Sequence, residues 1–154
     1  MSREILMKPV GFVRSARKAP EDDGWDAFDA RIELDTTRFG PEALAGLEQF
    51  SHIEVLFYFH AAEGTGETGA RVPRNNPAWP KVGIFAQRAK DRVNHIGATL
   101  CRVLSVRGTI LELEGLDAID GTPVLDIKPV LKGFLPRGEV REPDWAAALM
   151  QGYW

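Results

Sequence analysis

Apolar residues in this chain fall mainly into short solid runs or strict alternation, the spacings expected of strands. Ile32 and Leu34 alternate with Arg31, Glu33 and Asp35, which predicts a strand over 31–35 with one wet and one buried face. The run 53–60 (Ile-Glu-Val-Leu-Phe-Tyr-Phe-His) is apolar on both faces and rich in β-formers, so it is expected as a central strand. Further strands are expected over 8–14, 82–86, 96–106, 109–114 and 124–130. Arg107-Gly108 supplies a turn between 96–106 and 109–114, which predicts a hairpin. Helical signals are few. Pro41 stands at a first-turn position of 40–47, where Leu44 and Leu47 share a face, and 143–150 reads as a short amphipathic helix. Two long loops interrupt the order, 15–30 and 61–80. Strands follow strands without βαβ alternation, which predicts a mainly β, antiparallel barrel or sandwich with short peripheral helices.

Composition narrows the class. The 154 residues fit one domain, with 44% hydrophobic and 27% charged residues, an ordinary balance for a chain with one core. No apolar run approaches the roughly 20 residues of a membrane helix. The stretch 1–14 has no small-residue cleavage site, so no signal peptide is expected. Cys101 is the single cysteine, which excludes an internal disulfide and points to the cytoplasm. The net charge is −3, but it is unevenly spread. Between Arg71 and Arg107 lie eight basic residues and one acid, Asp91, while the rest of the chain holds 11 basic and 21 acidic residues. Such a cationic stretch on an acidic body can attract phosphates or carboxylates, or be a solvated face and nothing more.

Gly64-Thr-Gly-Glu-Thr-Gly69 matches the dinucleotide-binding fingerprint letter for letter. The chemistry of that fingerprint needs a helix N-terminus after the glycines, facing a pyrophosphate. Pro73 and Pro77 forbid a regular helix there, so these glycines are expected to serve a loop.

Three longer stretches carry a more specific signal. They are 46–60 (GLEQFSHIEVLFYFH), 83–97 (GIFAQRAKDRVNHIG) and 115–129 (GLDAIDGTPVLDIKP), with an opening PVGFVRS at 9–15. In this order they resemble the TrmO/YaeB-like (TsaA-domain) methyltransferases, whose patterns are GLxxFSHxWVLFxFH, GVFATRSPxRPNPIG, GLDLxDGTPVLDIKPY and PIGVIRSP. The resemblance implies a single small antiparallel β-barrel domain over 1–154, a homodimer, and S-adenosyl-L-methionine as cofactor. It implies methylation of N6 of threonylcarbamoyl-adenosine beside the tRNA anticodon, without a metal. Carried over position by position, it places cofactor contacts at His60, Ala61, Arg88, Ala89, Thr99, Ala118, Ile119, Asp120 and Gly121. Substrate contacts are expected at Arg92, Asn94, Asp126 and Lys128.

The chemistry asks mainly for alignment, because methyl transfer from a sulfonium is an in-line displacement. Arg88 is expected to supply its planar fork to a carboxylate or phosphate, and Asp120-Gly121 a tight turn whose backbone meets the cofactor. His60 could equally be structural. His52 and His95 have no partners at metal spacing, so no metal site is expected. Asp126 lies between Leu125 and Ile127 and is expected to be buried, and therefore paired with Arg88 or Lys128 or used in the site. Cys101 reads as core, and Trp145 and Trp154 as packing residues. No residue stands out as a general base. The chain departs from the family pattern where TRSP becomes Gln87-Arg-Ala-Lys90 and where both prolines of RPNPIG are replaced, leaving Arg92, Asn94 and Gly97. The acidic run 21–26 would repel a tRNA backbone. Two alternatives therefore stand beside tRNA methylation: a same-fold methyltransferase of a small molecule, and a non-enzymatic S-adenosylmethionine-binding module.

Overall fold

A computed structural model describes residues 3–154. Its strands are β1 (Gly11–Ser15), β2 (Ala30–Leu34), β3 (His52–Tyr58), β4 (Ala70–Arg71), β5 (Val82–Gly83), β6 (Ile96–Arg107), β7 (Ile110–Glu114) and β8 (Pro123–Pro129), and one α-helix, α1 (Asp144–Met150), lies near the C-terminus. Six strands close into an antiparallel barrel in the order β1-β2-β7-β6-β3-β8, and β4 and β5 pair separately. The barrel expected from the family resemblance is present.

Alternation builds its interior. Ala30, Ile32 and Leu34 of β2 point inward while Arg31 lies exposed on the outer face. Val13, Ile53, Val55, Phe57, Cys101, Leu111, Leu113 and Val124 complete a core in which each is at most 1% exposed. β3 is central as expected, bonded to β6 on one side and β8 on the other. Its outer positions Glu54, Leu56 and Tyr58 remain partly or fully exposed, so the apolar run is not buried on both faces. Gly97 of β6 lies against the Phe57 ring, where an added Cβ would come within 2.5 Å. The predicted hairpin forms between β6 and β7, with Gly108 at φ 59 in its turn.

Three expectations need correction. The strand over 82–86 ends at Gly83, and Ile84–Ala86 is a 3-10 turn. The helix over 40–47 resolves into two 3-10 segments, Pro41–Leu44 and Leu47–Gln49, interrupted by Gly46 in the left-handed region at φ 89. Too few residues share the apolar face to stabilise a longer helix. The loop 61–80 is not structureless, since it contains β4 and a 3-10 turn at Pro73–Asn75. No helix among the described residues is long and apolar enough to cross a membrane.

The antiparallel order brings the end of β1, the start of β2, the end of β3, the start of β6 and the β7–β8 connection to one end of the barrel. The loops 15–30 and 61–80 and most of the expected site residues collect there.

Candidate functional site

The β7–β8 connection, 116–121, is the floor of this end. Leu116, Ala118 and Ile119 are buried, which anchors the loop and turns Asp117 and Asp120 to its polar side. Thr122 closes a turn by donating its backbone N–H and its hydroxyl to the Ile119 carbonyl. Gly121 follows at φ 81 and donates to the Val13 carbonyl. The nearest atom to a Cβ added at Gly121 would be His60 Nε2, at 3.9 Å, so the turn and the end of β3 are neighbours. Asp120 accepts from the Ser15 N–H at 3.0 Å and pairs with Lys18 at 2.6 Å. The Lys18 hydrogen bond, followed by that of Ser15, holds the Asp120 carboxyl below the ordinary aspartate value.

The first long loop is organised around Arg17, 6% exposed. Its guanidinium lies 3.6 Å from the centre of the Trp25 ring and donates to the carbonyls of Asp23 and Glu21. A buried cation is thus satisfied by an aromatic face and two carbonyls. The acidic run 21–26 is partly neutralised, because Arg74 pairs with Asp23 at 3.0 Å. The C-terminal residues close over the same loop, where Gly24 and Trp25 donate their backbone N–H groups to the carbonyls of Gly152 and Tyr153.

Asp117 joins these parts. Its carboxylate accepts from the hydroxyls of Thr99 and Tyr153. Burial, and then Asp117, push the Tyr153 phenol above its usual value, while Arg74 and Arg88 pull it down. Burial and the same carboxylate push the Cys101 thiol up, so this cysteine is an inert core residue. Arg88 is exposed and donates to the Ala98 carbonyl, next to Thr99.

His60, Arg88, Thr99, Ala118, Ile119, Asp120 and Gly121 therefore collect at one end of the barrel, with Ala61 exposed beside His60 and Ala89 partly buried beside Arg88. Arg92 turns back to the carbonyl of Gln87 at 2.7 Å, bracing the segment that carries Arg88. Asn94 and His95 adopt positive φ, 65 and 49, in the turn where the family pattern has prolines. Asp126 is corrected from buried to partly exposed: its side chain is 45% accessible and pairs with Lys128 at 2.7 Å. Both residues face outward from β8, and no hydrogen bond or ion pair among the described residues links them to Arg88. His52 is exposed and bonded to Ser51 at the opposite end. No group of three His, Cys, Asp or Glu residues that could hold a metal occurs among the described residues. Of the fingerprint-like glycines, Gly66 serves packing: it lies against the Arg92 backbone, where a Cβ would sit 2.4 Å from the Arg92 carbonyl carbon.

Sequence reasoning missed Asp117, Tyr153, Arg17 and Lys18. Asp117 had a signal, a lone carboxylate in the run Leu116 to Ile119. Tyr153 had none, because its partner is 36 residues away. Chemically, the site offers an exposed guanidinium, a tight turn with free flanking space, and a carboxylate held by two hydroxyls. These can seat and align a charged ligand.

The tRNA-methyltransferase O N-terminal domain family matches residues 13–134. The chain is similar to the human tRNA (adenine(37)-N6)-methyltransferase, 38% identical over 90% of this chain and 33% of that protein. It is 41% identical to the Escherichia coli enzyme of the same name, over 92% of this chain and 62% of that one. A probable S-adenosyl-L-methionine-binding protein of Pyrococcus abyssi is 36% identical over 90% of this chain and 72% of its own length. The solved structure of TrmO from Pseudomonas aeruginosa superposes with a TM-score of 0.76 at 31% identity, covering 94% of this chain and 63% of that one. The chain thus spans only a third of the human relative and under two thirds of the bacterial ones.

Proposed function

The chain belongs to the tRNA-methyltransferase O N-terminal domain family, and on that premise we propose that it transfers the methyl group of S-adenosyl-L-methionine to N6 of threonylcarbamoyl-adenosine beside the tRNA anticodon. The observation that carries this reading is the convergence of Arg88, the Thr99–Asp117–Tyr153 hydroxyl–carboxylate group and the turn 118–121 at one barrel end. The Arg88 fork meets the cofactor's carboxylate. His60, Ala61, Ala89 and the 118–121 turn line the rest of its seat. Arg92 and Asn94 lie on the acceptor side of the segment.

S-adenosyl-L-methionine supplies an activated methyl on its sulfonium. Bound there, it would give up that methyl to N6 and leave as a neutral thioether, with the N6 proton passing to solvent. The protein's task in this displacement is alignment and exclusion of water. The family relatives named as tRNA methyltransferases support the acceptor, and the pairing of Asp23 with Arg74 removes part of the acidic obstacle to a phosphate backbone.

Titration calorimetry with S-adenosyl-L-methionine tests the site. We expect micromolar binding, weakened by about 1–3 kcal/mol in Arg88→Ala, the scale of a charge-assisted hydrogen bond. Transfer of a labelled methyl to tRNA lacking only this modification tests the acceptor. Absence of cofactor binding would remove the reading altogether. Binding without transfer to tRNA would turn it toward a small-molecule acceptor or a binding module.

We also infer that the protein works in the cytoplasm as a homodimer. Support comes from the outward apolar row Ile96, Leu100 and Leu104 on β6 and the exposed Leu131, Phe134, Leu135 and Val140 of the arm between β8 and α1. Sedimentation should give a dimer, and Leu100→Lys with Leu104→Lys should shift it to monomer. A monomeric wild-type protein at tens of micromolar would contradict this.

A further inference from the structure

The turn Ile84–Ala86 is pinned from both sides. Ile84 is 2% exposed, and its N–H donates to the Gly69 carbonyl. Gln87 is 7% exposed, and its side-chain amide donates to the carbonyls of Arg71 and Val82 at 2.9 and 3.0 Å. The Gln87 N–H closes the turn on the Ile84 carbonyl. With Ile84 and Gln87 fixed inward on either side of Phe85-Ala86, Phe85 is held outward, 86% exposed.

A lone exposed apolar side chain is ordinary on a protein surface. The setting of Phe85 is not. Residues 70–90 hold five basic residues and no acid. Arg71 and Arg74 are paired with Asp91 and Asp23, but Lys81, Arg88 and Lys90 enter no ion pair among the described residues. The ring thus projects from a preorganised turn between unpaired cations, three residues from Arg88. A protein partner would want a continuous apolar patch around such a ring, whereas the exposed Lys81 and Arg88 flank it along the chain, four residues before and three after. An aromatic face among cations suits a single-stranded nucleic acid, whose bases stack while its phosphates are neutralised.

We propose that Phe85 is the stacking platform for an unpaired base of the RNA loop that carries the acceptor adenosine, with Lys81 and Lys90 meeting the flanking phosphates. This rests on the tRNA reading above and deepens it. It assigns substrate recognition to a residue that touches neither the cofactor turn nor Asp117.

The test uses the full chain and a fluorescent anticodon stem-loop hairpin, with 2-aminopurine placed in the loop as a stacking reporter. Phe85→Leu keeps an apolar side chain and removes the aromatic face, and Phe85→Trp keeps the face. Phe85→Leu should weaken hairpin binding about tenfold and abolish the quenching of 2-aminopurine, stacking being worth that much for a base. Phe85→Trp should stay within about twofold of wild type and keep the quenching. Calorimetry with S-adenosyl-L-methionine serves as the folding control for both. If the wild-type protein binds the hairpin and Phe85→Leu binds it equally well, the platform is refuted while the tRNA reading stands. If wild type binds the cofactor but no hairpin at any salt concentration, the tRNA reading fails and the platform with it. If Phe85→Leu alters sedimentation and leaves hairpin affinity intact, the ring belongs to a protein contact and the proposal is overturned.

Discussion

Asp117 is a single carboxylate with several dependants. It receives the Thr99 and Tyr153 hydroxyls, adds to burial in raising the Tyr153 phenol, and adds to burial in the inertness of the Cys101 thiol. Its bond to Tyr153 also ties the C-terminal residues to the barrel floor, beside their backbone pairing with Gly24 and Trp25. The raised phenol has a consequence for stability. A group whose folded pKa lies above its unfolded value contributes fully below the unfolded value, about 10 for tyrosine, and the contribution fades as pH rises past it. Denaturant unfolding of the wild type should therefore weaken between pH 9 and pH 11 more steeply than that of Tyr153→Phe. Parallel curves for the two proteins would show that neither burial nor Asp117 raises the phenol. At neutral pH, Tyr153→Phe should cost about 1–2 kcal/mol through the lost hydrogen bond to a charged acceptor.

At the scale of elements, the chain was legible where a period or a long motif fixed the outcome. The alternation of 31–35 gave β2, the run after Ser51 gave β3, and the Arg107-Gly108 turn gave the β6–β7 hairpin. Misreadings occurred where tertiary contacts override local pattern. The stretch after Gly83 is apolar enough for a strand, but Gln87 must reach back to Arg71 and Val82, and this pulls the chain into a turn. The segment after Gly40 has helix formers, but Gly46 breaks it before two turns accumulate. Asp126 looked buried because both its neighbours are apolar. The irregular pairing at Leu56/Phe57 shifts the register there, and with Ile127 opposite the buried Val55, Asp126 and Lys128 take the outer face. Most of the expected cofactor residues were readable only through the long motif 115–129 and the strand end at His60. Asp117 lay inside that motif unremarked, and Tyr153 reaches the site across the fold, where one-dimensional pattern carries no signal.

For the whole molecule, the barrel is closed by pairing its first strand with its last: β1 meets β8 through Gly11 and Phe12, and Val13 donates to Thr122. The floor of the candidate site hangs on that seam, because Gly121 donates to Val13, Asp120 to Arg17, and Ser15 to Asp120, the last across a separation of 105 residues. Chain entropy makes such long-range contacts slow to form and late to be rewarded. The seam therefore sets a kinetic order. The hairpin of β6 and β7 can assemble early, while the ligand-binding surface appears only when the two ends of the barrel sequence meet. In refolding experiments, burial of the core should precede recovery of S-adenosyl-L-methionine binding, and Gly11→Val, which would drive a side chain to within about 2.4 Å of the Glu33 carbonyl oxygen, should slow the second phase more than the first. Equal slowing of both would mean that barrel and site form in one step. During synthesis, then, this protein would have no competent site until β8 has left the ribosome, so a nascent chain would be unable to sequester cofactor or substrate before the strand that closes the barrel has emerged.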